Sequence, residues 1–350
     1  MGAVTRAEPS AEVISHAPAV AASPLSALAL EQMPTGAHFR RDHFPLPGLD
    51  RSTWRLAVGG SVERRLELAL EELQRLPRRE LTVVLECAGH RRSELRPEPA
   101  GIPWRTGAVS EAVWAGTPLA EVLELAGLRA GAQFVLLEGA DRGPFRGEGE
   151  FAFARALPLE KALHPDTLLA WEMNGEPLPE GHGLPVRAVV PGWYATDSIK
   201  WLARVAVLDR PFEGPFEAVD YRIPSADGTN GARLTNLAVH ALFTSVADGD
   251  LVPAGESTLR GIAWGGDGGV ASVELSIDGG EWAPAALERP AGTYARVRWS
   301  FPWHAEPGLH TVAVRATDGA GTMQPESPRW NPSGYANSSI QRLRVLVESR

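Results

Sequence analysis

The chain has 350 residues and a formal net charge of −9, with 44% hydrophobic and 22% charged residues, the balance of a globular chain with room for two ordinary domains. Such an acidic chain lacks the basic field that nucleic-acid binding requires, and no apolar run approaches the roughly 18 residues that span a bilayer. Nucleic acid and membrane are therefore not expected partners. The single cysteine cannot form an internal disulfide, a CxxC zinc site, a c-type haem attachment or a cysteine-ligated iron–sulfur cluster.

In chain order, residues 1–35 are Ala/Ser/Pro-rich, with no basic stretch leading into an apolar one. They read as a disordered tail on a cytoplasmic protein, or on a periplasmic one if the N-terminus has been trimmed. Residues 38–50 are extended and punctuated by proline. WRLAVGG (54–60) reads as a strand ending in a glycine turn. LELALEELQRLP (66–77) has helical spacing and a stop at Pro77. LTVVLECAGHRR (81–92) is a buried strand running into a polar loop, with Cys87 at its end. LAEVLELAG (119–127) predicts a short glycine-capped helix. QFVLLEGAD (133–141) predicts a strand, and TLLAWEMNGEPLP (167–179) a strand followed by a hairpin turn. LPVRAVVPG (184–192) and SIKWLARVAVLD (198–209) add further strands, so residues 36–228 form one domain of mixed α and β.

The pattern changes after about residue 230. Alternating β segments follow at 234–243, 257–266, 269–282, 294–303, 308–321 and 340–348, separated by Gly, Pro and Asp. Asp278-Gly279-Gly280 is a strong hairpin signal. These spacings predict an all-β, immunoglobulin-like sandwich over residues 229–350, with nothing in it that suggests catalysis.

Chemistry concentrates at Cys87, beside His90, Arg91 and Arg92. A lone cysteine ending a strand is compatible with a buried structural thiol. The adjacent guanidinium groups also favour a thiolate, which would suit a soft-ligand metal. Redox chemistry here would need a cofactor that takes at most one protein thiolate, and its electrons would leave the chain.

The motifs FRRDH (39–43), CAGHRRSEL (87–95), GIPWRTGAVSEAVWAG (101–116), LLAWEMNGEPLPEGHGLPVRAVVPG (168–192), SIKWL (198–202), DYR (220–222) and WNPSGYANSSIQRLRV (330–345) occur in this order. With them the chain resembles the sulfite oxidase family of molybdopterin enzymes from about residue 38 to the C-terminus. The resemblance implies an α+β molybdopterin-binding domain followed by the β-sandwich as a dimerisation domain. It implies one molybdenum–molybdopterin cofactor with Cys87 as the protein ligand, and no haem, iron–sulfur cluster or flavin. His43, His182, Arg187, Ser198 and Lys200 match positions that hold the pterin and its phosphate. Arg41, Arg92, Trp104 and Tyr221 match the substrate pocket, and Arg342 matches an arginine near the active site. The implied reaction is oxidation of sulfite to sulfate, with electrons passed to a cytochrome c, another carrier or dioxygen, by a homodimer joined through the C-terminal domain.

Two alternatives stay open on the sequence. One is a related enzyme acting on nitrate, sulfane sulfur or a sulfoxide; the other is a non-catalytic anion-binding protein on this scaffold. Three positions depart from the family pattern. Asp42 and His90 stand where asparagine is usual, and Asp197 where vertebrate-type members have arginine. Asp42 is expected to bring negative charge toward the anion pocket, and His90 to titrate near neutral pH.

Overall fold

The computed structural model describes residues 8–224, 231–288, 290 and 292–349. The boundary read at 228/229 and the first seven residues of the tail lie outside these.

The N-terminal part is built mainly from sheet. Arg79–Glu86 pairs antiparallel with Val109–Pro118, which pairs in turn with Leu168–Met173. Glu176–Pro177 and Arg187–Val189 complete this sheet. Val109–Pro118 and Leu168–Met173 are buried along almost their whole length, which explains why they read as continuous apolar runs rather than alternating ones. A second sheet has the order Leu66–Ala69, Arg55–Gly60, Leu202–Leu208, Phe134–Pro144, Glu150–Pro158. Its one parallel pairing joins Arg55–Gly60 to Leu202–Leu208. The hairpin read at 167–179 turns on Asn174 and Gly175, at φ 54° and 82°, the left-handed pair that a two-residue turn demands.

Two expectations are corrected here. Residues 8–35 are not a structureless tail: Glu12–His16 and Ala19–Ala22 form a hairpin that pairs with Arg40–Arg41. That pairing gives the strand carrying Arg41 a hydrogen-bonded neighbour. The predicted helix at 66–77 shrinks to the single turn Leu70–Leu73, because Leu66–Ala69 pairs with Arg55–Gly60. Leu66, Leu68 and Leu70 also alternate with period two, and the available sheet edge decides between the periods. Among the described residues only the helix Leu119–Ala126 exceeds four residues. It ends at Gly127, φ 71°, as its sequence predicts.

The C-terminal part is two sheets sharing one apolar core. One has the order His240–Phe243, Gly255–Trp264, Val297–Ala305, Ala286–Glu288. The other has the order Leu251–Pro253, Gln341–Glu348, Gly308–Thr317, Ser272–Ile277, Ala283–Pro284. Leu259, Trp299 and Trp303 from the first meet Val273, Val312, Val314 and Val345 from the second. Asp278 and Gly279, at φ 52° and 72°, make the predicted turn.

The two parts are joined at the Cys87 loop. Trp264 Nε1 donates to Glu86 Oε2 at 2.7 Å, and the Trp264 ring stacks on His240 at 5.0 Å. Ala336 N donates to Ala88 O at 2.9 Å, and Asn337 Nδ2 to Arg91 O at 3.0 Å.

Candidate functional site

Cys87 is the first residue beyond the strand Arg79–Glu86, so its position is set by sheet pairing. Its N–H donates to Ala108 O at 2.9 Å, and its carbonyl closes the following turn by accepting from His90 N at 2.9 Å. Cys87 lines a cavity. The cavity walls come from residues 38–41 and His43, from Leu85, Ser110 and Trp114, from Asp141 and Phe153, from His182, Arg187, Thr196, Ser198 and Lys200, and from Tyr221.

Eight of the residues singled out in the sequence line this one cavity: Arg41, His43, Cys87, His182, Arg187, Ser198, Lys200 and Tyr221. Arg187 lies 4.8 Å over the Trp114 ring, and its guanidinium donates to Ser198 O at 2.9 Å and His182 O at 3.2 Å. Burial brings its pKa down to about 9. Lys200 lies 4.2 Å over the Trp201 ring and donates to Gly181 O at 3.2 Å; burial, against the pull of Asp42, lowers it to about 8. Gly183, at φ 112°, lets this wall close, since a β-carbon there would sit 2.9 Å from Arg187 Cβ. His43 stacks on Phe153 at 4.2 Å and is hydrogen-bonded through Nε2 to the Tyr221 hydroxyl. Burial holds His43 and His182 well below the usual imidazole range and raises the Tyr221 phenol well above its own. The cavity thus presents neutral imidazoles, a protonated phenol and retained guanidinium charge.

Three predicted residues are placed otherwise. The Arg92 side chain turns from the cavity and donates through Nε to Ser333 O and through Nη1 to Ile102 O, both at 2.9 Å. Its charge still pulls the Cys87 thiol downward against burial. Trp104, 1% exposed, packs behind the site with Val20 and Ala108 and meets Phe39 edge-on at 6.2 Å. Arg342 sits on the exposed register of Gln341–Glu348 and pairs with Glu326. What approaches the Cys87 loop from the C-terminal part is instead the segment around Ser333 and Tyr335.

The arginines flanking Cys87 do not make it a thiolate by themselves. Burial raises the thiol pKa, and it outweighs the lowering by the Gly89 amide and by Arg92 and Arg41. Arg91 is spent on Glu94, at 2.9 Å, and on the Ser339 carbonyl. A soft cation binding at Cys87 would displace the proton itself.

Two of the three departures from the family pattern, Asp42 and Asp197, are absorbed by cationic partners. Asp42, 2% exposed, takes Arg40 Nε at 2.8 Å and the Lys200 ammonium, so its charge is neutralised before it reaches the cavity. Asp197 points away from the cavity, between Thr196 and Ser198 that line it. It meets Arg155 Nε at 3.1 Å and also Arg233. His90 does not titrate near neutrality: burial, with His240 and Arg91 nearby, holds it well below the usual range.

Sequence reasoning missed several cavity residues, among them His38, Arg40, Trp114 and Asp141. HFRRDH contained the first two. Asp141 closes the apolar run QFVLLEGAD, and a carboxylate at the end of that run is its only signal in the sequence. Burial raises Asp141 to about 7, opposed by Lys200, and lowers His38 to about 3.

The donor set fits a molybdenum–molybdopterin group. A single soft thiol faces cations that answer a phosphate. Buried His38 Nε2, with no protein partner among the described residues, and the Asp141 carboxyl offer polar contacts for pterin ring nitrogens. Among the described residues, no group of three or more His, Cys, Asp or Glu could hold a metal ion by itself. A metal at Cys87 would bring its remaining ligands with it.

Comparison with known proteins agrees with this chemistry. The family description "Oxidoreductase molybdopterin binding domain" matches residues 43–216, and "Mo-co oxidoreductase dimerisation domain" matches residues 232–348. The mitochondrial sulfite oxidase of Rattus norvegicus is 38% identical over 90% of this chain; the chain spans 61% of that relative's length. The sulfite oxidase of Arabidopsis thaliana is 31% identical, with 97% of this chain and 94% of that protein covered. The crystal structure of the sulfane dehydrogenase SoxCD from Paracoccus pantotrophus superposes with a TM-score of 0.84 at 26% identity, covering 99% of this chain and 95% of that one.

Proposed function

The chain belongs to the sulfite oxidase family of molybdopterin-dependent oxidoreductases, and from that premise we propose that it oxidises sulfite to sulfate and passes the electrons to an external acceptor. The observation that carries this reading is one cavity holding the Cys87 thiol, the Arg41 guanidinium and the Tyr221 phenol opposite a wall of buried cations. When bound, the molybdenum–molybdopterin group supplies two-electron oxygen-atom-transfer chemistry. Cys87 Sγ ligates the metal, and His43, His182, Arg187, Ser198 and Lys200 hold the pterin and its phosphate. Arg41 meets the oxyanion. Tyr221, kept protonated by burial and aimed by its hydrogen bond to His43, donates to the same anion. Apolar walls such as Phe153 and Trp114 exclude water and strengthen these charge-assisted contacts. The C-terminal unit, which we read as an immunoglobulin-like sandwich, joins two copies.

The test is sulfite-dependent reduction of ferricyanide by the purified, molybdenum-replete protein. Turnover is expected, and Cys87→Ala should lower it by at least about a hundredfold together with molybdenum retention. Retained molybdenum and full activity in that variant would refute the ligand assignment.

A second reading, a less highly charged sulfur compound as substrate, draws on one observation. Arg92 is engaged by carbonyls and Arg342 lies on the surface, so Arg41 alone of the three guanidinium groups expected at the substrate lines the cavity. Turnover with a sulfane or sulfoxide compound, and none with sulfite, would favour it.

A further inference from the structure

Tyr221 shares the cavity with Cys87 and Arg41, yet its own backbone gives it little regular support. Its φ is 56°, in the left-handed region that a bulky residue occupies only where its surroundings hold it. Its backbone is held by the hydrogen bond from Leu234 N to Tyr221 O at 2.9 Å, and its hydroxyl by His43 Nε2. Its ring lies in a row of rings and cations. Tyr335 stacks on Tyr221 with 5.4 Å between centroids and 20° between planes. Arg92 Cζ lies 5.4 Å from the Tyr335 centroid, and Arg155 Cζ lies 5.7 Å from that of Tyr221.

Tyr335 belongs to the C-terminal part and is itself fixed. Asn331 accepts from Tyr335 N at 3.0 Å and donates to Tyr335 O at 2.9 Å. The preceding residue must be glycine, because a β-carbon on Gly334 would stand 2.6 Å from Arg92 Cγ, and its φ is +60°. The following residue, Ala336, is also left-handed, at φ 55°, and binds Ala88 beside the candidate metal ligand. The segment therefore crosses between domains, threads past Arg92 and sets one aromatic ring against the phenol of the pocket. A packing residue alone would not need its neighbours on both sides held so closely to the Cys87 loop.

We propose that Tyr335 is a positioning residue of the substrate pocket, its ring fixing the Tyr221 phenol for anion binding. The pocket of the N-terminal domain is then complete only when the C-terminal domain is docked. Arg92 takes its part through Tyr335: the cation lies over the ring and holds it in the row, and the ring in turn stacks on Tyr221. The assignment rests on reading the cavity as a sulfite-oxidising site.

The experiment compares cofactor-loaded Tyr335→Leu and Tyr335→Phe with the parent protein, with the molybdenum-to-protein ratio measured for each. Loss of one stacked aromatic pair should raise KM for sulfite roughly three- to tenfold in Tyr335→Leu. In that variant kcat should change by less than about threefold, and Tyr335→Phe should restore the parent KM. In a Tyr221→Phe background, Tyr335→Leu should add no further rise, since the phenol it positions is gone. Hydrogen exchange at residues 220–223 should be faster in Tyr335→Leu than in Tyr335→Phe, with or without cofactor. Unchanged KM and unchanged exchange in Tyr335→Leu would overturn the proposal, as would an additive KM rise in the Tyr221→Phe background. Absence of sulfite turnover in the parent protein would refute the functional reading, and hydrogen exchange would then decide the role of Tyr335 independently.

Discussion

Asp141 is 3% exposed, and its carboxyl is raised from 3.8 to about 7, by burial first, with Lys200 opposing and Asp42 reinforcing. The folded chain therefore binds more protons than the unfolded chain between about pH 4 and 7. This group's contribution is fully present below its unfolded pKa and is lost as pH rises through the folded one. Lys200, lowered to about 8, acts in the opposite sense, and only above that pH. The buried histidines His38, His43, His90 and His182, held low by burial, act in the opposite sense below about pH 6.5, so the share of Asp141 is read as a difference. From about pH 5 to 8, Asp141→Asn should gain stability relative to the parent by on the order of 1–4 kcal/mol in paired urea unfolding of the cofactor-free proteins. An unchanged profile in that variant would mean that Asp141 does not carry the effect. The motifs contained the ligand candidate Cys87 and most of the cation wall, because a phosphate and a soft metal demand particular side chains. They could not contain Asp141's perturbation, which depends on what covers the carboxyl.

At the scale of elements, periodicity located most strands and the one long helix, but it failed where a neighbour decided. LELALEEL satisfies both a helical and an alternating pattern, and the open edge of Arg55–Gly60 claims its first four residues. The opening hairpin Glu12–Ala22 was invisible for the same reason: Ala/Ser/Pro-rich sequence has weak preferences, and pairing with Arg40–Arg41 supplies the order. Sheet packing also makes a prediction at Gly116. A β-carbon there would lie 2.0 Å from Leu169 O across the strand pair, whereas one at Gly36 would meet nothing within 4 Å. Gly116→Ala should destabilise by roughly 1–3 kcal/mol and Gly36→Ala by less than about 0.5 kcal/mol, measured as paired urea unfolding curves. Equal effects at the two positions would show that the strands can separate to admit a methyl group.

At the scale of the whole molecule, the interface between the two parts is built on buried polar contacts. Trp264 is 1% exposed and its Nε1 donates to buried Glu86, which also lies 3.3 Å from His240 Nε2. Trp264→Phe keeps an aromatic ring beside His240 but leaves a carboxylate oxygen without its donor. The expected cost is about 1–3 kcal/mol, read as a lower thermal midpoint. A midpoint equal to that of the parent would show that Glu86 is satisfied without the indole. The match of residues 232–348 to a dimerisation domain leads to a second expectation at this scale. Sedimentation at micromolar concentration should give twice the chain mass, and only monomer would count against the dimer.

The sequence by itself determined the family, the two-part order, the candidate thiol and the residue types of the cation wall, since these are carried by motifs whose chemistry is local. It also named Asp42, His90 and Asp197 as departures. Only the tertiary structure decided what those departures mean, because a charge acts according to its partners: Asp42 and Asp197 are neutralised by Arg40, Lys200, Arg155 and Arg233. It likewise decided which of Arg41, Arg92 and Arg342 reaches the cavity, and that Tyr335 lies against Tyr221. Guanidinium direction and ring stacking between residues more than a hundred positions apart depend on how two domains meet, and no spacing along one chain encodes that.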